Sequence, residues 1–160
     1  MGLRQFFLML YAVAATQLLM TQVVFAMGGD SDSTSVSPAA SAEFTQGRKQ
    51  IENKDWSGAI QSFGIVVQKD PKNADAFNYL GYASRQLGDY PKAFSYYEQA
   101  LAINPNHRGA NEYIGEAYLQ TGDLAKAEHH LSKLDDICTF GCAEYTMLKR
   151  AVADYKEKKG

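Results

Sequence analysis

Residues 74–107 read ADAFNYLGYASRQLGDYPKAFSYYEQALAINPNH, and this stretch decides the fold. Phe77, Leu80, Gly81 and Leu87 recur at helical spacing and mark one apolar face. Gly88, Asp89, Tyr90 and Pro91 break the pattern. Pro91 suits the first turn of a new helix, where its missing N–H costs nothing. Ala93, Phe94, Tyr97, Ala100 and Leu101 form a second apolar face, which Asn104 and Pro105 end. Two antiparallel helices joined by a tight turn make one αα-hairpin. Gly81 is expected to face Ala93, letting the backbones approach, with Tyr97 filling the space beside them.

The same spacing recurs on either side of the central unit. Gly47, Gly81 and Gly115 are 34 residues apart, as are Asp55, Asp89 and Asp123, and Ala59, Ala93 and Ala127. Phe63, Tyr97 and Leu131 keep the step. A fixed period of this length marks a stacked helical array, because one hairpin cannot bury its apolar face alone. The units are residues 40–73, 74–107 and 108–141.

The central unit, with Phe77, Leu80, Gly81, Gly88, Asp89, Tyr90, Ala93, Tyr97, Ala100, Leu101 and Pro105, closely resembles the tetratricopeptide repeat (TPR). It departs at Ser84, where the family has an aromatic. The first unit keeps Gly47, Asp55, Trp56, Ala59, Phe63 and Pro71 but has Glu43 for the first-helix aromatic and Gln46 for the leucine. The third keeps Ile114, Gly115, Tyr118, Gly122, Asp123, Ala127 and Leu131 but has Asn111 for the aromatic and Thr139 for the closing proline. The resemblance implies an all-α fold, a right-handed superhelical stack of three TPR αα-hairpins, and protein–protein interaction through a concave groove.

In that family the first helix of each repeat lines the groove. Carried over, the inward places are Phe44, Arg48, Ile51 and Glu52; Asp75, Asn78, Tyr82, Arg85 and Gln86; and Glu112, Glu116, Leu119 and Gln120. Phe44, Ile51, Tyr82 and Leu119 would anchor apolar side chains. Arg48 and Arg85 would hold a carboxylate or backbone carbonyls. Glu112 and Glu116 would make the far end acidic. The bland alternative for each is a solvated position on an inner helix. The clamp with which co-chaperone members grip a C-terminal carboxylate is absent: its places hold Phe44, Arg48, Tyr79, Gly109 and Tyr113, and only Arg48 suits that role.

The chain has 160 residues, 46% of them hydrophobic, and 16 basic against 18 acidic residues. That balance excludes the dense basic face that nucleic acid requires. Residues 1–26 carry a single charge, Arg4, and an apolar run that closes on Val24, Phe25 and Ala26. This is the layout of a secretory signal peptide. An uncleaved membrane anchor over residues 6–26 is the alternative, although Thr16, Gln17, Thr21 and Gln22 interrupt it. With the leader removed, no membrane association is expected. Residues 27–39, rich in Ser, Gly and Asp, read as a flexible linker.

After the third unit, Tyr145, Leu148, Val152 and Tyr155 recur at helical spacing. Residues 142–157 are expected to form an amphipathic capping helix, with a partner-docking helix as the alternative. Cys138 and Cys142, the only cysteines, stand at the junction. In an exported chain such a pair reads as a disulfide pinning the cap, with a redox-active pair or a metal site as alternatives. His129 and His130 read as a solvated outer face.

No G-x-S-x-G, Walker-type loop or H-E-x-x-H occurs. No enzyme activity, metal or cofactor is therefore expected. The sequence reads as a protein-binding adaptor or assembly factor of the bacterial periplasm, binding a protein or peptide. A redox-sensing or metal-handling factor and a self-assembling scaffold are the other readings. The oligomeric state is left open.

Overall fold

The computed structural model describes residues 38–159. The expected leader, residues 1–26, and most of the expected linker lie outside the described residues. Seven α-helices and no strand occur among them: α1 Pro38–Glu52, α2 Trp56–Lys69, α3 Ala74–Gln86, α4 Tyr90–Ile103, α5 Arg108–Thr121, α6 Leu124–Ile137 and α7 Ala143–Lys159. The first helix begins two residues inside the expected linker, with Pro38 at its start. None of these helices is long and apolar enough to cross a membrane.

The repeated aspartates have a single task. Asp55, Asp89 and Asp123 are the N-caps of α2, α4 and α6, and each side chain accepts a hydrogen bond from a first-turn N–H. The turn before each cap needs a left-handed residue. Gly88 (φ 78°) and Gly122 (φ 89°) supply it in the second and third hairpins, whereas Lys54 (φ 58°) stands there in the first.

The repeated glycines are notches for rings. A Cβ on Gly47 would lie 2.8 Å from the Phe63 ring, and one on Gly81 would lie 2.5 Å from the Tyr97 ring. What fills the Gly81 notch is thus the Tyr97 side chain itself. The third hairpin breaks this rule. The residue in the notch of Gly115 is Leu148 of α7, 2.6 Å from a Cβ built there, while Leu131 stays half-buried. A leucine does not reach where a phenylalanine or tyrosine does, so the capping helix turns inward to close the gap. α7 accordingly packs on both α5 and α6, burying Leu148 and Val152 with Tyr145 and Tyr155 beside them, the face expected of it.

Cys138 and Cys142 are joined by a disulfide with Cα atoms 5.6 Å apart. Cys142 also precedes α7 as its cap: Thr146 N–H donates to Cys142 O at 3.2 Å. Closing so short a loop contributes about 2 kcal/mol in the chain-entropy view.

The expected solvated pair of histidines is corrected. His129 is exposed, but His130 is half-buried, stacked 5.8 Å from Tyr118. Its Nδ1–H donates to Asn111 Oδ1 at 3.0 Å, and Asn111 Nδ2 donates to Pro105 O and His107 O, both at 3.1 Å. Asn111, the apparent loss of a family aromatic, is a buried hub tying α5 to the preceding turn and to α6. Burial, with His129 and Lys133 nearby, pushes the His130 imidazole down to about 4.

Candidate functional site: the inner face of α1, α3, α5 and α7

Helices α3 and α5 pack side by side, and α7 lies against α5. The inward residues inferred from the sequence fall on these helices, but the fold sorts them into three kinds.

The first kind is apolar or aromatic and already engaged. Phe44 meets the Phe63 ring edge-on at 5.4 Å and Tyr79 at 5.8 Å. Ile51 packs against the same core, and Leu119 is buried with α7. Tyr82 reaches Trp56 at 5.8 Å and Tyr113 at 5.0 Å, joining all three hairpins through aromatic contacts.

The second kind is a charge pair consumed within the fold. Arg85 Nη2 lies 2.8 Å from Glu116 Oε2, with its side chain 5% exposed. Its guanidinium stands 5.4 Å from the centre of the Tyr82 ring and 5.6 Å from that of Tyr113. Arg85 is therefore not free to grip a partner's carboxylate, and Glu116 does not add free negative charge at the far end. Both expectations are corrected for the same reason: position i on α3 and i+31 on α5 meet across the groove, where opposite charges neutralise each other.

The third kind remains available. Arg48, Glu52, Gln86 and Gln120 are exposed. Asp75, Asn78 and Glu112 line a cleft of about 440 Å³ between α3, α5 and the start of α7, together with Tyr79, Tyr113, His107, Arg108, Glu144 and Met147. The cleft is of ligand-pocket size. Its rim is organised by His107, which N-caps α5. His107 Nδ1 accepts from Ala110 N–H at 3.0 Å, which leaves Nε2–H to donate to Asp75 Oδ1 at 2.9 Å. That hydrogen bond holds the Asp75 carboxyl below its ordinary range.

Glu112 is the outlier of the site. Burial, with Glu116 and Glu144 nearby, raises its carboxyl to about 7 despite the opposing pull of Arg85. Burial likewise pushes the Tyr113 phenol up to about 12.

Sequence reasoning named Tyr79 and Tyr113 only as places of the absent clamp, and missed Glu144 and Met147 as groove residues. Glu144, Met147, Ala151 and Asp154 recur at helical spacing, and all four line concave pockets against α5. The signal was a second stripe on α7, one step round from the buried Leu148 and Val152 and the partly buried Tyr145 and Tyr155. Among the described residues no group of three or more His, Cys, Asp or Glu is placed to hold a metal.

Comparison with known proteins agrees with this fold. The curated DnaJ protein P58IPK homolog of Arabidopsis thaliana is 33% identical over 72 residues, which are 44% of this chain and 15% of that protein. This chain thus matches only a small part of that relative's length. The TPR2B domain of yeast Sti1, in a complex with pHsp70, superposes with a TM-score of 0.69 at 17% identity, covering 76% of this chain and 99% of that one. The Yersinia enterocolitica type III secretion chaperone SycD, in complex with a peptide of the translocator YopD, gives 0.68 at 20% identity, covering 78% and 97%. PcrH, in complex with the chaperone binding region of PopD, gives 0.65 at 23% identity, covering 75% and 92%. Two tetratricopeptide repeat family models match residues 44–108 and 84–152. Since together they run from the first hairpin into the capping helix, the chain belongs to the tetratricopeptide repeat family.

Proposed function

We propose that this chain is a non-enzymatic adaptor that holds a segment of a partner protein along the inner face of α1, α3, α5 and α7, in the bacterial periplasm. The observation that carries the reading is the cleft of about 440 Å³ on that face, walled by aromatic rings and polar side chains, among them the unpaired Asn78 Oδ1, rather than by a catalytic constellation. Solved relatives of the same fold are complexes with a segment of another protein, SycD with a YopD peptide and PcrH with a region of PopD. The apolar leader ending at Ala26 and the Cys138–Cys142 disulfide support an exported setting.

The test is crosslinking capture from periplasmic extract. Arg48→Glu, Gln86→Lys and Gln120→Lys alter exposed positions on the groove helices, and together they should abolish capture. Gln61→Lys with Gln99→Lys, at exposed positions of α2 and α4, should leave it intact. Capture that survives the first set and fails with the second would refute the reading. Fractionation of the expressed chain tests the location: recovery in the cytoplasm with the leader uncut would count against export.

A further inference from the structure

Two polar side chains of the cleft stand out: Glu112, a carboxyl almost covered by the fold, and Asn78, whose amide oxygen is buried without a partner. Glu112 is 3% exposed as a residue and lines the cleft, to which its carboxyl oxygens keep access. Asn78 is 5% exposed, and its Oδ1 has no hydrogen-bond partner among them. Both line the same cleft, from α5 and α3 respectively. Folds avoid an atom such as Asn78 Oδ1, because a buried polar atom without a partner loses its hydration and gains nothing in return. A carboxylate oxygen and an amide oxygen only accept hydrogen bonds. The missing group is a donor.

The nearby basic side chains are directed elsewhere. Arg85, which does not line the cleft, places Nη2 on Glu116, while its Nε has no partner among the described residues. His107 spends one nitrogen on Ala110 and the other on Asp75. Arg108, more than half exposed, approaches Glu144 at 3.9 Å. The walls add what a cation favours. Tyr79 and Tyr113 contribute aromatic rings, Met147 a flexible apolar side chain, and Asp75 and Glu144 further negative charge.

Resting on the groove reading above, we propose that this cleft is the recognition pocket for one basic side chain, lysine or arginine, of the partner segment, which donates to Glu112 and to Asn78 Oδ1. This is the reverse of a carboxylate clamp: the groove supplies the anion and the partner the cation.

Ionisation of Glu112 then governs binding. The charged groups facing it are Arg85 on α3, Glu116 on its own helix and Glu144 on α7. With the carboxyl at about 7, the ionised fraction rises roughly tenfold between pH 6 and pH 8. Affinity for a basic group should rise by a similar factor.

The test uses the 15N-labelled full chain and Nα-acetyl-arginine amide, with Nα-acetyl-norleucine amide as the uncharged control. The arginine compound should shift the amide signals of Gly109, Glu112 and Tyr113 saturably at pH 8. Its binding should be about tenfold weaker at pH 6 and in Glu112→Gln. Equal binding of the norleucine compound, no saturable shift, or undiminished arginine binding by Glu112→Gln would overturn the pocket. The captured partner separates this idea from the one beneath it. A partner that binds wild type and Glu112→Gln alike but loses affinity for Arg48→Glu removes the pocket and leaves the groove. Indifference to every inner-face variant removes both.

Discussion

Replacing Glu112 by glutamine should make the protein more stable, and only at neutral to alkaline pH. The folded state raises this carboxyl from an ordinary 4.5 to about 7, mainly through burial. A raised carboxyl favours folding when it is protonated. Its contribution is therefore intact below about pH 4.5 and is lost as pH rises through about 7. At about 1.4 kcal/mol per pH unit, the rise from 4.5 to about 7 corresponds to roughly 3 kcal/mol at pH 8. The side chain is covered, but the cleft above it opens to water, and screening there reduces the figure to roughly 1–2 kcal/mol. Glutamine keeps the shape and removes the charge. For a folded region of this size the gain is roughly 5–8 °C in melting temperature at pH 8, vanishing at pH 4. His130 tilts the wild-type profile the other way. Its neutral form is favoured by folding, so its contribution is intact above about pH 6.5 and is lost as pH falls toward 4. The two slopes partly cancel in the wild type. The difference between Glu112→Gln and wild type, measured by thermal melts from pH 4 to pH 8.5, isolates the carboxyl. A variant that is less stable than wild type at pH 8, or a difference that does not change with pH, would refute the account of Glu112 as an uncompensated buried acid.

Four other substitutions test the packing. Lys54→Gly removes a side chain from a left-handed position and should stabilise by about 1 kcal/mol, read by urea denaturation. Gly81→Ala places a methyl 2.5 Å from the Tyr97 ring and should cost about 1–3 kcal/mol in the same assay. Glu116→Ala strands the buried Arg85 cation. Partial exposure of Glu116 puts the expected loss of stability at the low end, about 2–3 kcal/mol, whereas the loss of a purely exposed pair would go unnoticed. Leu148→Ala empties the Gly115 notch and should cost about 2–5 kcal/mol, with hydrogen exchange accelerating first in α7.

The fold was legible because its determinants repeat. Each hairpin needs a notch, a cap and a turn, and the step of 34 residues writes those requirements three times. Departures from the repeat were visible as losses, but not what replaced them. Asn111 looked like a missing aromatic, yet its three hydrogen bonds to the turn and to His130 form a polar solution to the same packing problem. Leu131 matched the period, yet it left its notch to a residue 17 positions later, on a helix outside the repeat. Propensity and period describe what a hairpin needs from itself; neither describes what a neighbour supplies.

The groove was less legible for a related reason. Phe44, Asn78 and Glu112 stand 34 residues apart, in one structural column. The fold turns all three inward, and the period predicts that much. It does not predict that Phe44 would find Phe63 and Tyr79, while Asn78 Oδ1 would be buried without a partner and Glu112 would line the cleft almost covered. One step along, Arg48, Tyr82 and Glu116 form a second column, and Arg85 on α3 crosses into it to neutralise Glu116. Whether an inward charge is free or consumed thus depends on a contact between neighbouring columns, which no single repeat contains. Position in the array decides which side chains face the groove. Pairing across the array decides which of them a partner can still use, and here it leaves an apolar end at α1 and an unpaired acid at α5.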